Sequence, residues 1–105
     1  MVPDRNQRGG GVNYSALIEV DNSREDPATG RRGLQEELAP ALKSMPGFVS
    51  TLLMTAYERG RGVAVVVFDS RQSAEALVAG LSEGREIREG VVVTRSEVLE
   101  VSASA

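Results

Sequence analysis

FVSTLLMTAYE at residues 48–58, Arg59-Gly60-Arg61-Gly62 and VAVVVF at 63–68 decide the fold of this chain. Phe48, Ser50, Leu52, Met54 and Ala56 alternate with Val49, Thr51, Leu53, Thr55 and Tyr57, a period-two pattern that predicts a strand over 48–58. Val63–Phe68 predicts another, and the short glycine-bearing turn between them makes the pair a hairpin. Val63, Val65 and Val67 point one way, while Ala64, Val66 and Phe68 point the other. Both faces of this hairpin are apolar.

Outward from the hairpin the periods change. Asn13–Asp21 alternates with Tyr14, Ala16, Ile18 and Val20 on one face, which predicts a strand. Leu34, Leu38, Leu42 and Met45 form a helical stripe within Ala28–Ser44. Pro40 interrupts that stripe, because it lacks a backbone donor, and Pro46-Gly47 ends it. After the hairpin, Asp69 and Ser70 are helix-capping residues. Ala74, Leu77, Val78 and Leu81 then give a helix over Arg71–Ser82, followed by a further helical turn up to Gly90 that carries Ile87. Val91–Ser102 is the last strand, bent near Arg95.

The order is β-α-β-β-α-β, an α+β ferredoxin-like pattern: a four-stranded antiparallel sheet with two helices on one face. Residues 13–102 form the single domain, with 1–12 as a disordered leader and 103–105 as a tail. The second face of such a sheet normally meets water and is polar. Here it is not, and leaving roughly 600 Å² of apolar surface wet would forgo about 15 kcal/mol. Two covers fit this pattern, a second copy of the chain and the leader, and a homodimer pairing the two sheets is the expected one.

Composition removes several function classes. The 105 residues include no histidine, cysteine or tryptophan. Thiolate chemistry, histidine general bases and the usual zinc ligands are therefore absent, and neither a metal nor a cofactor is expected. The net charge of −3 and the lack of exposed stacking aromatics argue against nucleic acid. No apolar run is long enough to span a membrane. A cytoplasmic protein is expected. Arginine supplies nearly all the positive charge, with Lys43 the one lysine, a usage that suits a GC-rich bacterial genome.

The segment from Met45 to Leu77 resembles the dimeric α/β barrel superfamily, and within it the antibiotic-biosynthesis monooxygenase branch. Pro46-Gly47-Phe48 matches that family's entry into its second strand. Phe68-Asp69-Ser70 matches the aromatic residue and polar cap after its third. The resemblance implies facing sheets across a dimer and a pocket between sheet and helices in each subunit. It further implies, for some members, oxidation of phenolic substrates by O₂ without a cofactor. Heme-degrading members use a helix histidine that follows a helix tryptophan. Those positions fall at Ile87 and Leu77 here, so heme chemistry is not expected.

Four polar residues are candidates for catalysis. The phenols of Tyr14 and Tyr57, both placed in strands, can hydrogen-bond an oxyanion. Glu19 on the first strand is a candidate base, and Arg95 on the last a candidate partner for an enolate. Each has a plainer reading as a packed tyrosine or a solvated or ion-paired charge. The functional expectation is a cofactor-independent monooxygenase-like enzyme for a small aromatic or enolic substrate. The alternative is a non-catalytic small-molecule-binding or assembly domain of the same fold.

Overall fold

A computed structural model describes residues 11–105; most of the predicted leader lies outside the described residues. Five strands form one antiparallel sheet in the order β2-β3-β1-β5-β4. They are β1 (Tyr14–Asp21), β2 (Phe48–Ala56), β3 (Arg61–Phe68), β4 (Glu86–Arg88) and β5 (Val91–Glu100). One face carries α1 (Pro27–Gly33), a π-helical turn (Leu34–Leu38), α2 (Ala39–Lys43) and α3 (Arg71–Gly80). This is the expected ferredoxin-like fold, with one strand added.

The alternation in the sequence maps onto the two faces except at the start of β2, where a bulge at Val49 puts Phe48 opposite Phe68 on the inner face while Ser50 pairs with Val67. Ala16, Val66 and Phe68 pack under Leu42 of α2 and Ala74 of α3 to form the core. Val63, Val65 and Val67 project to the opposite, outer face, together with Leu17, Leu52 and Met54. Leu52 is 66% exposed and Met54 45% exposed.

The two helical segments start on side-chain caps. The Asp26 carboxylate accepts from the Thr29 N–H at 3.0 Å and precedes Pro27 at the first turn. The Thr29 backbone and hydroxyl hold the Asp26 carboxyl below its usual range. Ser70 Oγ accepts from the Ser73 N–H at 3.2 Å and caps α3. Pro46-Gly47 makes the break into β2, with Gly47 at φ +79°. A Cβ there would meet Asp69 Oδ1 at 2.6 Å, so both the backbone and the space require glycine.

Besides the bulge in β2, the structure departs from the sequence reading at four places. Pro40 does not simply kink the first helix. The turn ahead of it widens, and the Ala39 N–H reaches back to the Leu34 carbonyl. The proline has no N–H to offer the Glu36 carbonyl and its ring would crowd it; a π turn relieves both. The second strand ends at Ala56, and Tyr57–Arg59 is a 3₁₀ turn, so Tyr57 is not a strand residue. The expected helical turn carrying Ile87 is instead β4, a short hairpin partner of β5. The last strand stops at Glu100, and its bend near Arg95 is a β-bulge: Glu19 pairs with Arg95 and Val20 with Val93, leaving Thr94 extra.

Candidate functional site

The first helix is anchored on the sheet at its C-terminal end, where Leu42 enters the core. Toward its N-terminus it stands away from the sheet. A pocket of about 700 Å³ lies in the gap, between the inner face at the ends of β1, β2 and β3 and the helix from Gly30 to Leu42. Gly62 is buried in β3 beneath Val20 and Asn22, and a Cβ there would meet Val20 Cγ2 at 3.0 Å. The Pro40-induced π turn carries Leu34 and Leu38 into the lining, where they face Val20, Leu53 and Leu77. Leu81, Ile87 and Arg88 complete the wall.

Polar groups gather at one end of this apolar space. The Arg31 guanidinium lies 4.9 Å from the Tyr57 ring centroid, within cation–π range. Arg88 pairs with Glu25 at 2.8 Å, and the Glu25 side chain is only 12% exposed. Asn22, between β1 and α1, also lines the pocket. A smaller groove of about 450 Å³ runs along the other side of Tyr57, bounded by Gln35, Thr51 and Leu52.

The four residues singled out in the sequence fall in three places. Tyr57 lines the pocket. Tyr14 lies at the far end of the inner face, packed against the core, with the Arg71 guanidinium 5.6 Å from its ring. An eight-residue strand is roughly 25 Å long, so Tyr14 and the pocket sit at opposite ends of β1. Glu19 and Arg95 are brought together, but on the outer face. Glu19 accepts from Arg61 Nε at 3.1 Å and from Arg95 at 3.3 Å, and its side chain is 15% exposed. Arg95 also holds Glu97. The hydrogen bond to Glu97 is the largest influence raising the Arg95 guanidinium above its usual range. These charges satisfy one another and face away from the pocket.

Sequence reasoning missed Asn22, Arg31 as the partner of Tyr57, and the Glu25–Arg88 pair. Gly62 gave no signal either, because the sequence places it in the hairpin turn, whereas β3 begins at Arg61 and includes it. Among the described residues no cluster of histidine, cysteine, aspartate and glutamate could hold a metal ion. No helix among them is long and apolar enough to cross a membrane.

No family model matches the sequence, and no curated protein matches it. Solved structures do. A heme-free, cleaved form of the heme-degrading protein MhuD of Mycobacterium tuberculosis superposes with a TM-score of 0.50. It is 18% identical, covering 89% of this chain and 96% of that one. MhuD with two hemes bound in its active site gives 0.42 at 23% identity, over 90% and 98%. The C-terminal RRM domain of MEC-8 bound to AGCACA gives 0.43 at 24% identity, over 76% and 87%. The first of these likenesses shows the fold, an α+β ferredoxin-like one.

Proposed function

We propose that the sheet–helix pocket binds a small aromatic or enolic molecule, and that the chain is a cofactor-independent monooxygenase-like enzyme acting on it. The observation that carries this reading is the pocket itself: apolar walls, enough volume for a few fused rings, and the Arg31–Tyr57 pair at one end. A flat apolar ligand would bury its rings against Leu34, Leu38 and Leu53, and each buried CH group contributes favourably. The Tyr57 hydroxyl and the Arg31 guanidinium would then face an oxygen of the ligand.

That arrangement suits oxidation of an activated methylene. Loss of a proton to solvent from an acidic enol leaves an enolate, which hydrogen bonds from Tyr57 and Arg31 stabilise. The enolate is the electron donor. O₂ adds to the carbon, one oxygen atom stays as a carbonyl, and the other leaves as water with the two hydrogens of the methylene. The substrate supplies all four electrons, so no metal or flavin enters the balance.

Heme, which MhuD binds, does not fit these residues. The chain has no histidine or cysteine, and the pocket presents Leu77 and Ile87 where imidazole or thiolate ligation would be needed. The Tyr57 phenol is 44% exposed, with the Arg31 guanidinium beside its ring.

The test is O₂ uptake with an anthrone, whose activated methylene and flat rings match the pocket. The native protein is expected to consume one O₂ per anthrone. Tyr57→Phe is expected to lower kcat about 10²-fold, with a smaller change in KM. No uptake above the uncatalysed rate would remove the enzymatic reading. A second reading, a binding or assembly domain without catalysis, would then stand. It is favoured by one observation: of the four polar candidates, Tyr57 alone lines the pocket.

The same proposal includes a homodimer in a cytoplasmic setting. The outer sheet face, with Leu52, Met54 and Leu99 each more than 40% exposed, is the surface a second copy would cover. The Glu19–Arg61–Arg95–Glu97 network lies on that face with its charges already balanced, so burying it would leave no net charge unpaired.

A further inference from the structure

Asn22 occupies an unusual place in the pocket. It follows the last residue of β1, and its backbone is tied on both sides. Its N–H donates to the Gly60 carbonyl at 2.9 Å, and its carbonyl accepts from the Glu25 N–H at 3.0 Å. The neighbouring Asp21 carboxylate accepts from the Ser23 N–H at 2.9 Å and from its hydroxyl at 2.7 Å. Gly60 packs so closely on Ser23 that a Cβ at Gly60 would come within 2.5 Å of the Ser23 Cα. The loop is therefore fixed against the β2–β3 turn, and the direction in which the Asn22 side chain leaves the backbone is fixed with it.

That side chain meets the inner sheet face at one spot. Val20 pairs with Gly62, and Gly62 with Thr55, so these three form a row across β1, β3 and β2. The Asn22 Nδ2 lies 3.5 Å from where a Gly62 Cβ would stand. Val20 Cγ2, 3.0 Å from the same point, closes over Gly62 together with the carboxamide, and a side chain at position 62 would push both aside. The carboxamide thus lies in the wall of a pocket that is otherwise mostly aliphatic. Among the described residues, no hydrogen bond from the carboxamide to another side chain or to the backbone is formed.

We propose that Asn22 is the specificity-determining residue of the pocket, binding an oxygen substituent on an otherwise apolar aromatic ligand at the stretch of wall where its carboxamide covers Gly62. This rests on the reading of the pocket as a ligand site. It goes further by stating that the ligand carries an oxygen at the end facing β1, in addition to any oxygen held by Arg31 and Tyr57. A pocket with a fixed polar group rejects the ligand that leaves that group unpaired, which is how one amide can discriminate between shapes that are nearly the same.

The experiment compares 2-naphthol with naphthalene by equilibrium dialysis. The native protein is expected to bind 2-naphthol about tenfold more tightly, the worth of one well-made hydrogen bond in a pocket. Asn22→Leu should bring 2-naphthol down to the naphthalene value and leave naphthalene unchanged. Asn22→Asp keeps the shape and accepts a phenolic hydrogen, so it should keep the preference for 2-naphthol while losing 2-methoxynaphthalene, which offers only an acceptor. Equal binding of 2-naphthol and naphthalene by the native protein would overturn the assignment to Asn22 while leaving the pocket as a ligand site. So would an undiminished preference in a folded Asn22→Leu protein. Failure of all three compounds to bind would remove the pocket reading, and this inference with it.

Discussion

Val66→Glu is expected to unfold the domain. Val66 is 1% exposed at the centre of β3, on the inner face, between Ala16 of β1 and Thr51 of β2. The valine side chain alone contributes about 1.5–3 kcal/mol by its burial. A carboxylate in its place would be buried without a free partner: Arg61 and Arg95 are engaged on the outer face, and Arg88 of β4 is paired with Glu25. The glutamate must therefore stay neutral at a cost or force the helices off the sheet. Losses of this kind exceed about 4 kcal/mol, against a total stability of roughly 5–15 kcal/mol for a domain of this size. Urea unfolding followed by far-ultraviolet circular dichroism would show either no folded baseline or a midpoint far below that of the native protein. An unchanged midpoint would mean that Val66 faces outward, a one-residue slip in the register of β3.

Leu52→Glu is expected to do the opposite: keep the fold and abolish the dimer. Leu52 sits across from Val65 on the outer face and is the most exposed large apolar side chain among the described residues, at 66%. In a lone subunit a glutamate there is solvated and costs little. In a dimer two such charges would be buried in an apolar interface, without partners. A stable interface buries about 800 Å² per partner, and its centre tolerates an unpaired charge poorly. Sedimentation equilibrium should give twice the chain mass of 11.2 kDa for the native protein and the single-chain mass for the variant, with matching circular dichroism. A dimeric Leu52→Glu protein, or a monomeric native one, would remove the outer face as the interface. Together the two substitutions separate what the sequence alone leaves joined, since both positions belong to one hairpin that is apolar on both sides.

That hairpin shows how much of the fold is legible in the sequence. The period-two alternation sorts Val63, Val65 and Val67 from Ala64, Val66 and Phe68, and the structure keeps the sorting. It cannot say which set faces the helices. That depends on Leu42 and Ala74, which reach the sheet from helices whose packing is a tertiary matter. Tyr57 continues the strand pattern by propensity, yet β2 stops at Ala56. The stop is set by Gly60 at φ +60° and its close packing on Ser23, a contact between segments far apart in sequence. The strand β4 has three residues, too few for any period to register, so the sequence joins Ile87 to the helix before it. Pro40 announced an interruption, but its form, a π turn that delivers Leu34 and Leu38 to the pocket, required knowing what the helix packs against.

The candidate site was less legible than the fold, for a similar reason. Glu19 and Arg95 are far apart in sequence and become neighbours through the β1–β5 register and its bulge at Thr94. Alternation alone put Glu19 on the face opposite Ala16 and Ile18, and that face turned out to be the one away from the pocket. Asn22 and Arg31 have no motif around them. They matter because a loop and a helix start converge on the glycine-lined end of the sheet.

The claim on which the account rests is that the space between the sheet and the first helix receives a ligand. The most direct measurement is a titration of the ¹⁵N-labelled protein with 2-naphthol, followed by amide chemical shifts. Shifts are expected to concentrate at Val20, Asn22, Gly62, Leu34 and Leu38, and to be lost when Gly62→Leu pushes Val20 and Asn22 into the pocket in a protein that remains folded. Shifts clustered instead at Leu52, Val65 and Leu99 on the outer face, or pocket shifts that persist in Gly62→Leu, would contradict it.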